Sequence, residues 1–208
     1  LHDILMTKSN SKVPAANRKR GVPGKATPER LRNIALRHLE RFATSSEGLR
    51  EVLRRRAIRS ARRHDTDLSQ AEAWIDEIIV RFEEIGLLND KAFAEARAKS
   101  LHGRGLPART IKLRLARKGV EAGDVDEALA SLETEHEEPE FEAAVIFARK
   151  RRLGPYRDSG NRRAMRQKDM AAMARTGFSH DMARTVIDAE SVDALETRRR
   201  EGVAGLSV

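Results

Sequence analysis

Leu53-Arg-Arg-Arg-Ala-Ile58, Leu115-Ala-Arg-Lys-Gly-Val120 and Met173-Ala-Arg-Thr-Gly-Phe178 are three versions of one phrase. Each closes an apolar helical stripe with a large anchor, a basic or small stretch, a small residue and a second apolar anchor. The small residues, Ala57, Gly119 and Gly177, lie 62 and 58 positions apart. A short unit recurring at such a period cannot bury its apolar face alone, so neighbouring units must stack. The phrase predicts three small helical modules in a row.

The sequence around each copy fits that plan. In the first module, Thr27-Pro28-Glu29 offers an N-cap, a proline for the first turn and an acid beside the positive helix end. Leu31, Ile34, Ala35, His38 and Phe42 then follow at the spacing of one helical face. Thr44-Ser-Ser-Glu47 has capping-box spacing ahead of Leu49, Val52 and Leu53. A polar stretch from Arg59 to Ser69 leads to a third stripe, Trp74, Ile75, Ile78, Ile79, Phe82 and Ile85, closed by Gly86.

The second module opens at Asn89-Asp90 with Phe93, Ala94, Ala98 and Leu101 on one face. It breaks at Gly103 and Gly105, restarts at Pro107 with Ile111 and Leu115, and ends on Val125, Ala128, Leu129 and Leu132. At about 100° per residue, Arg109 and Arg117 point away from Ile111 and Leu115. Gly119 suits a left-handed C-cap. An acidic link, Glu133 to Glu140, precedes the third module, with Phe141, Ala144, Val145 and Ala148, a loop from Gly154 to Asn161, then Met170, Met173, Met182 and Val186. No segment alternates as a strand would. The expected boundaries are a basic disordered tail over 1–26, modules over 27–88, 89–133 and 134–190, and a C-terminal tail over 191–208.

Apolar residues make up 39% of the 208 and charged residues 35%, which favours several thin cores over one thick one. The formal charge is +9, pointing to a polyanionic partner. Residues 50–63 carry a net +6, 97–118 a net +8 and 149–168 a net +8, whereas 121–142 carry −10. Cation blocks that keep step with a repeat predict one binding surface shared by the modules. The candidates are Arg54, Arg55, Arg56, Arg59, Arg62 and Arg63, then Arg104, Arg109, Lys112, Arg114, Arg117 and Lys118, then Lys150, Arg151, Arg152, Arg162, Arg163 and Arg166. With one Trp and one Tyr, base stacking is an unsuitable main source of affinity, and recognition of backbone or protein surface is expected.

Catalytic signatures are missing from the sequence. The six histidines are scattered, none at a metal-binding helical spacing, and the carboxylates of Glu133 to Glu142 lack the order of a calcium loop and read as a solvated linker. Gly21-Val-Pro-Gly-Lys25-Ala-Thr27 fails as a phosphate loop on spacing and on Ala26. The expectation is therefore a non-enzyme without cofactor or metal. Zero cysteines, no apolar run of about 18 residues and no signal-peptide core suit a cytoplasmic protein without a membrane span. A helix-turn-helix gene regulator competes with this reading, but such proteins dimerise on half-sites, whereas this chain repeats its unit internally, which favours tracking an extended partner.

Several segments together resemble the RecX family. They are the helix from Leu31 to Phe42, Ser46-Glu-Gly-Leu-Arg-Glu-Val-Leu-Arg-Arg56, Gly86-Leu-Leu-Asn-Asp90-Lys-Ala-Phe93, Gly105 to Gly119, and Arg175-Thr-Gly-Phe178. The likeness covers about residues 28–190. It implies an all-α, elongated and curved array of three tandem three-helix, helix-turn-helix-like repeats. It further implies a monomer lying in the groove of the RecA filament on single-stranded DNA, restraining ATP hydrolysis, strand exchange and coprotease activity in recombination, repair and the SOS response. Binding to single- or double-stranded DNA is also implied, and no catalytic residue set. A general DNA-binding or architectural protein is the alternative. The chain departs from the family pattern in its basic tail, in the insert Ser60 to Ser69, and in Ala57 where glycine is expected. A left-handed cap there would cost a non-glycine residue about 1 kcal/mol or more.

Overall fold

A computed structural model describes residues 24–204, with side chains to 201, and among them every regular element is helical. Three helices come first: α1 (Pro28–Leu39), α2 (Ser46–Ala61) and α3 (Leu68–Glu84). The next three are α4 (Asp90–His102), α5 (Ala108–Ala116) and α6 (Ala122–Glu135). The last group is α7 (Pro139–Arg151), a 3-10 turn (Gly154–Tyr156), α8 (Ser159–Thr176), α9 (His180–Ile187) and α10 (Val192–Ala204).

The apolar residues gather into three separate cores, one per group. Leu31, Leu49, Leu53, Ile75, Ile79 and Phe82 form the first. Ala94, Leu101, Ile111, Leu115, Val125 and Leu132 form the second. Phe141, Val145, Met173, Phe178, Val186 and Ile187 form the third, the broadest. Helices within a group pack mainly on one another.

Local chemistry sets most helix ends. Thr27 Oγ1 accepts from the Arg30 N–H and Asn89 Oδ1 from the Ala92 N–H. The cap of α2 falls one residue later than the expected Thr44: buried Ser45 accepts from the Gly48 N–H at 3.1 Å. In the second and third copies of the phrase the helix ends as a Schellman motif. Val120 N–H donates to Leu115 O and Phe178 N–H to Met173 O, each at 3.3 Å, with Gly119 at φ 74° and Gly177 at φ 112°.

The first copy differs. Ala57 lies inside α2, buried, and the helix runs on to Ala61. No left-handed cap exists there and no strain arises: the expected turn is replaced by one more helical turn, and the expected insert divides into the end of α2, a connection over 62–67 and the start of α3.

The termini also depart from expectation. Ala26, assigned to a tail, is buried, and its N–H donates to Ser60 Oγ at 2.7 Å; residues 1–23 lie outside the described residues. The segment from Ser191, read as a tail, contains α10. Its Leu195 completes the third core, and Arg198 grips Glu138 at the start of α7 with bonds of 2.8 and 2.5 Å. One buried leucine among charged residues is too little periodicity to predict this helix; tertiary contacts hold it. Phe42 leaves the expected stripe, standing exposed beyond the end of α1 against His38, with ring centroids 5.1 Å apart.

Candidate nucleoprotein interface

The sequence nominates arginines by their number, and the folded chain divides them into those that serve the fold and those left to solvent. On α2, Arg54 forks onto Glu72 of α3 at 2.8 and 3.3 Å, and the carboxylate keeps its charged form favoured. Arg55 pairs with Glu51 one turn away, and Arg59 donates to the Arg55 carbonyl. Lys112 of α5 reaches Asp126 of α6 at 2.5 Å, and Lys150 donates to Gly103 O at 3.2 Å.

In the third group, Arg166 of α8 and Asp188 share two 2.6 Å bonds. The guanidinium holds the Asp188 carboxyl below the usual carboxylate range, its hydrogen bond outweighing partial burial. Arg162 donates to the carbonyls of Ile187, Ala189 and Glu190 at the end of α9. Arg151 lies over the Phe147 ring, 6.0 Å from its centroid.

The remaining nominees are exposed and make no ion pair or side-chain hydrogen bond among the described residues. They are Arg56, Arg62 and Arg63 from the first group, Arg104, Arg109, Arg114, Arg117 and Lys118 from the second, and Arg152 and Arg163 from the third. On α5 the division follows the helical period: Ile111 and Leu115 are fully buried while Arg109, Arg114 and Arg117 are exposed. An arginine spent on an internal carboxylate contributes little to an outside anion, whereas an unpaired, hydrated one can exchange its counterion for a phosphate or carboxylate.

Two junctions link the groups that carry these cations. Ser45 Oγ donates to Lys118 O at 2.5 Å, and Thr110 Oγ1 donates to Thr176 O at 2.5 Å. Each carbonyl belongs to the residue before the phrase glycine, and each hydroxyl sits at the start of the middle helix of the preceding group. The glycines are needed twice over. A Cβ on Gly119 would stand 2.3 Å from Glu47 Cβ, and one on Gly177 would stand 2.6 Å from Thr110 Oγ1. The phrase is thus a docking device in its second and third copies, where the glycine meets the preceding group. Ser46 N–H to Asp90 Oδ1 at 2.7 Å and Ala108 N–H to Glu140 Oε2 at 3.1 Å strengthen the two junctions. Sequence reasoning missed Ser45, Thr110 and Glu140 in this role because their partners are 73, 66 and 32 residues away.

A cleft between the first two groups is lined by Thr44, Phe93, Arg97, Ser100 and Lys118. A second lies between α8 and the end of α9, lined by Ser159, Arg162, Arg163 and Arg166. No described helix is long and apolar enough to cross a membrane.

Known proteins are similar to this chain in sequence and in fold. Residues 89–129 match the family model of the second three-helix domain of RecX. The chain is 42% identical over 167 residues to the regulatory protein RecX of Myxococcus xanthus, spanning 80% of this chain and 88% of that one. It is 38% identical over 170 residues to the regulatory protein RecX of Streptomyces coelicolor, spanning 81% of each. The crystal structure of RecX from Lactobacillus salivarius superposes with a TM-score of 0.54 at 24% identity, covering 77% of this chain and 94% of that one, a likeness of fold. Identity at this level along four-fifths of the chain, on a helical repeat fold, leaves one conclusion: the chain belongs to the RecX family of regulatory proteins.

Proposed function

We propose that this protein restrains the RecA recombinase by lying along the groove of its filament on single-stranded DNA, acting by contact and without catalysis. The observation that carries the reading is the division of cations. Each group keeps exposed arginines without an ion pair, Arg56, Arg62 and Arg63, then Arg104, Arg109, Arg114 and Arg117 with Lys118, then Arg152 and Arg163, while Arg54, Lys112 and Arg166 are held by internal carboxylates. The junctions at Gly119 and Gly177 link the groups that carry these clusters. A row of separated basic clusters suits a periodic partner with acidic protein surface or phosphate at each repeat. Bridging successive protomers would couple units that otherwise change state singly, and so oppose the cycle of hydrolysis and exchange.

Fluorescence anisotropy of labelled single-stranded DNA, bare and then coated with RecA held in its ATP state, tests this across a salt series. The expected result is tighter binding to the coated strand, retained near physiological salt. Equal or weaker binding to the coated strand, lost steeply with salt as about 6 to 10 phosphate contacts would require, would overturn it in favour of a general DNA-binding or architectural protein.

A further inference from the structure

Where the second group meets the third, three potential metal ligands converge from three helices. His102 is in the last turn of α4 and buried, His136 caps the C-terminus of α6, and Glu142 is in the first turn of α7. The two imidazole rings lie 4.6 Å apart, and the ligand atoms of all three residues lie within 4.8 Å of one another. We propose that His102, His136 and Glu142 form a binding site for a divalent transition metal of the zinc class, which fastens the second three-helix group to the third.

The geometry suits a shared ion. His136 Nδ1 and Glu142 Oε2 are 2.7 Å apart, and both atoms are buried without a hydrogen bond. With the imidazole neutral and its proton on Nε2, these are two buried acceptors side by side, costly as they stand and suited to a common cation. His102 Nε2 is 2.8 Å from Pro139 O; donation to that carbonyl leaves Nδ1 as the lone-pair nitrogen, the arrangement by which ligating histidines are usually oriented. The other oxygen of Glu142 faces Arg199 at 3.6 Å, whose charge is shared with Glu196 at 2.9 Å, so Oε2 stays turned toward the imidazoles.

Bonds of about 2.0 to 2.2 Å to a tetrahedral ion place neighbouring ligand atoms roughly 3.3 Å apart, a separation these side chains reach by small adjustments. Two imidazoles and one carboxylate form a zinc donor set with a fourth position for water, and other first-row divalent ions would compete by affinity. Sequence spacing hides the group, since 34 residues separate the two histidines and Glu142 lies in a stretch that reads as solvated linker.

The test uses the full chain, stripped with a chelator and titrated with Zn2+ against a chromophoric competitor, with Co2+ as a spectroscopic probe. One Zn2+ per chain at micromolar or tighter affinity is expected, together with the strong visible bands of four-coordinate Co2+ and a rise in unfolding midpoint on saturation. Glu142→Gln, which preserves size, and His136→Asn, at a helix end, should each weaken Zn2+ binding at least tenfold while the metal-free variants keep wild-type helicity. Zn2+ affinity and Co2+ spectra unchanged in both variants, or no stoichiometric binding by the wild type, would overturn the site. Neither result bears on filament binding, which the anisotropy experiment reads separately.

Discussion

Arg152 sits at φ 54°, the only positive φ outside glycine among the described residues. It closes α7 as Gly105 closes α4: Leu153 N–H returns to Ala148 O at 2.9 Å, as Leu106 N–H returns to Leu101 O at 3.2 Å. Left-handed backbone costs a residue with a Cβ about 1–2 kcal/mol, partly offset by the entropy glycine loses on folding. Arg152→Gly should therefore stabilise the fold by about 0.5–1 kcal/mol, measured by urea unfolding. Gly119→Ala should do the reverse. It places a Cβ in the left-handed region and against Glu47, and is expected to cost about 2 kcal/mol or more by the same measurement. The opposite signs at two Schellman glycine positions follow from one backbone argument plus one contact.

At the scale of the element, α2 and α10 are the informative helices. In α2, Ala57 is an interior helical residue facing the core side, so restoring the family's glycine repairs no turn. Ala57→Gly should lower stability by about 1 kcal/mol, seen as a fall in the unfolding midpoint with helicity retained at low temperature. In α10, Leu195 is the apolar anchor, and Arg198 adds a stacking contact 4.2 Å from the Phe141 centroid. Leu195→Ala should cost about 2–3 kcal/mol and raise amide exchange along α10 before the other helices. The Arg198 guanidinium holds the Glu138 carboxyl below its usual range, its hydrogen bond outweighing partial burial. A depressed carboxylate stabilises the fold at neutral pH, and that stabilisation is lost as pH falls through the folded-state pKa. Docking of α10 should thus loosen in acid, below the ordinary carboxylate range, and the half-exposed pair makes the effect small.

Across the whole molecule, three small cores joined by hydroxyl-to-carbonyl bonds and close glycine contacts make a chain of units that transmit position without sharing one interior. The free cations ride on this frame, and they are the positions where charge can be reversed without unfolding it. Arg109→Glu with Arg117→Glu should reduce binding to RecA-coated DNA by at least about tenfold while circular dichroism stays at the wild-type level. Binding that persists in the double variant would sink the proposed face. Arg54 and Arg166 are unsuitable for the same test, since each also loses a two-bonded carboxylate, Glu72 or Asp188.

The sequence by itself determined the all-helical class, the second and third helix-ending glycines, the caps at Thr27 and Asn89, and the family. These depend on period, on local backbone chemistry and on phrases a few residues long. It placed the cations in blocks, but a linear count weighs Arg54 and Arg56 alike. Only the tertiary structure decided that Arg54 is held by Glu72 while Arg56 is free, because the carboxylate comes from another helix. The same holds for Ala57, which lies inside a helix that continues to Ala61, and for α10, whose stability comes from the surface of α7. The convergence of His102, His136 and Glu142 was likewise beyond sequence spacing, since distance along a chain says nothing of distance across a junction.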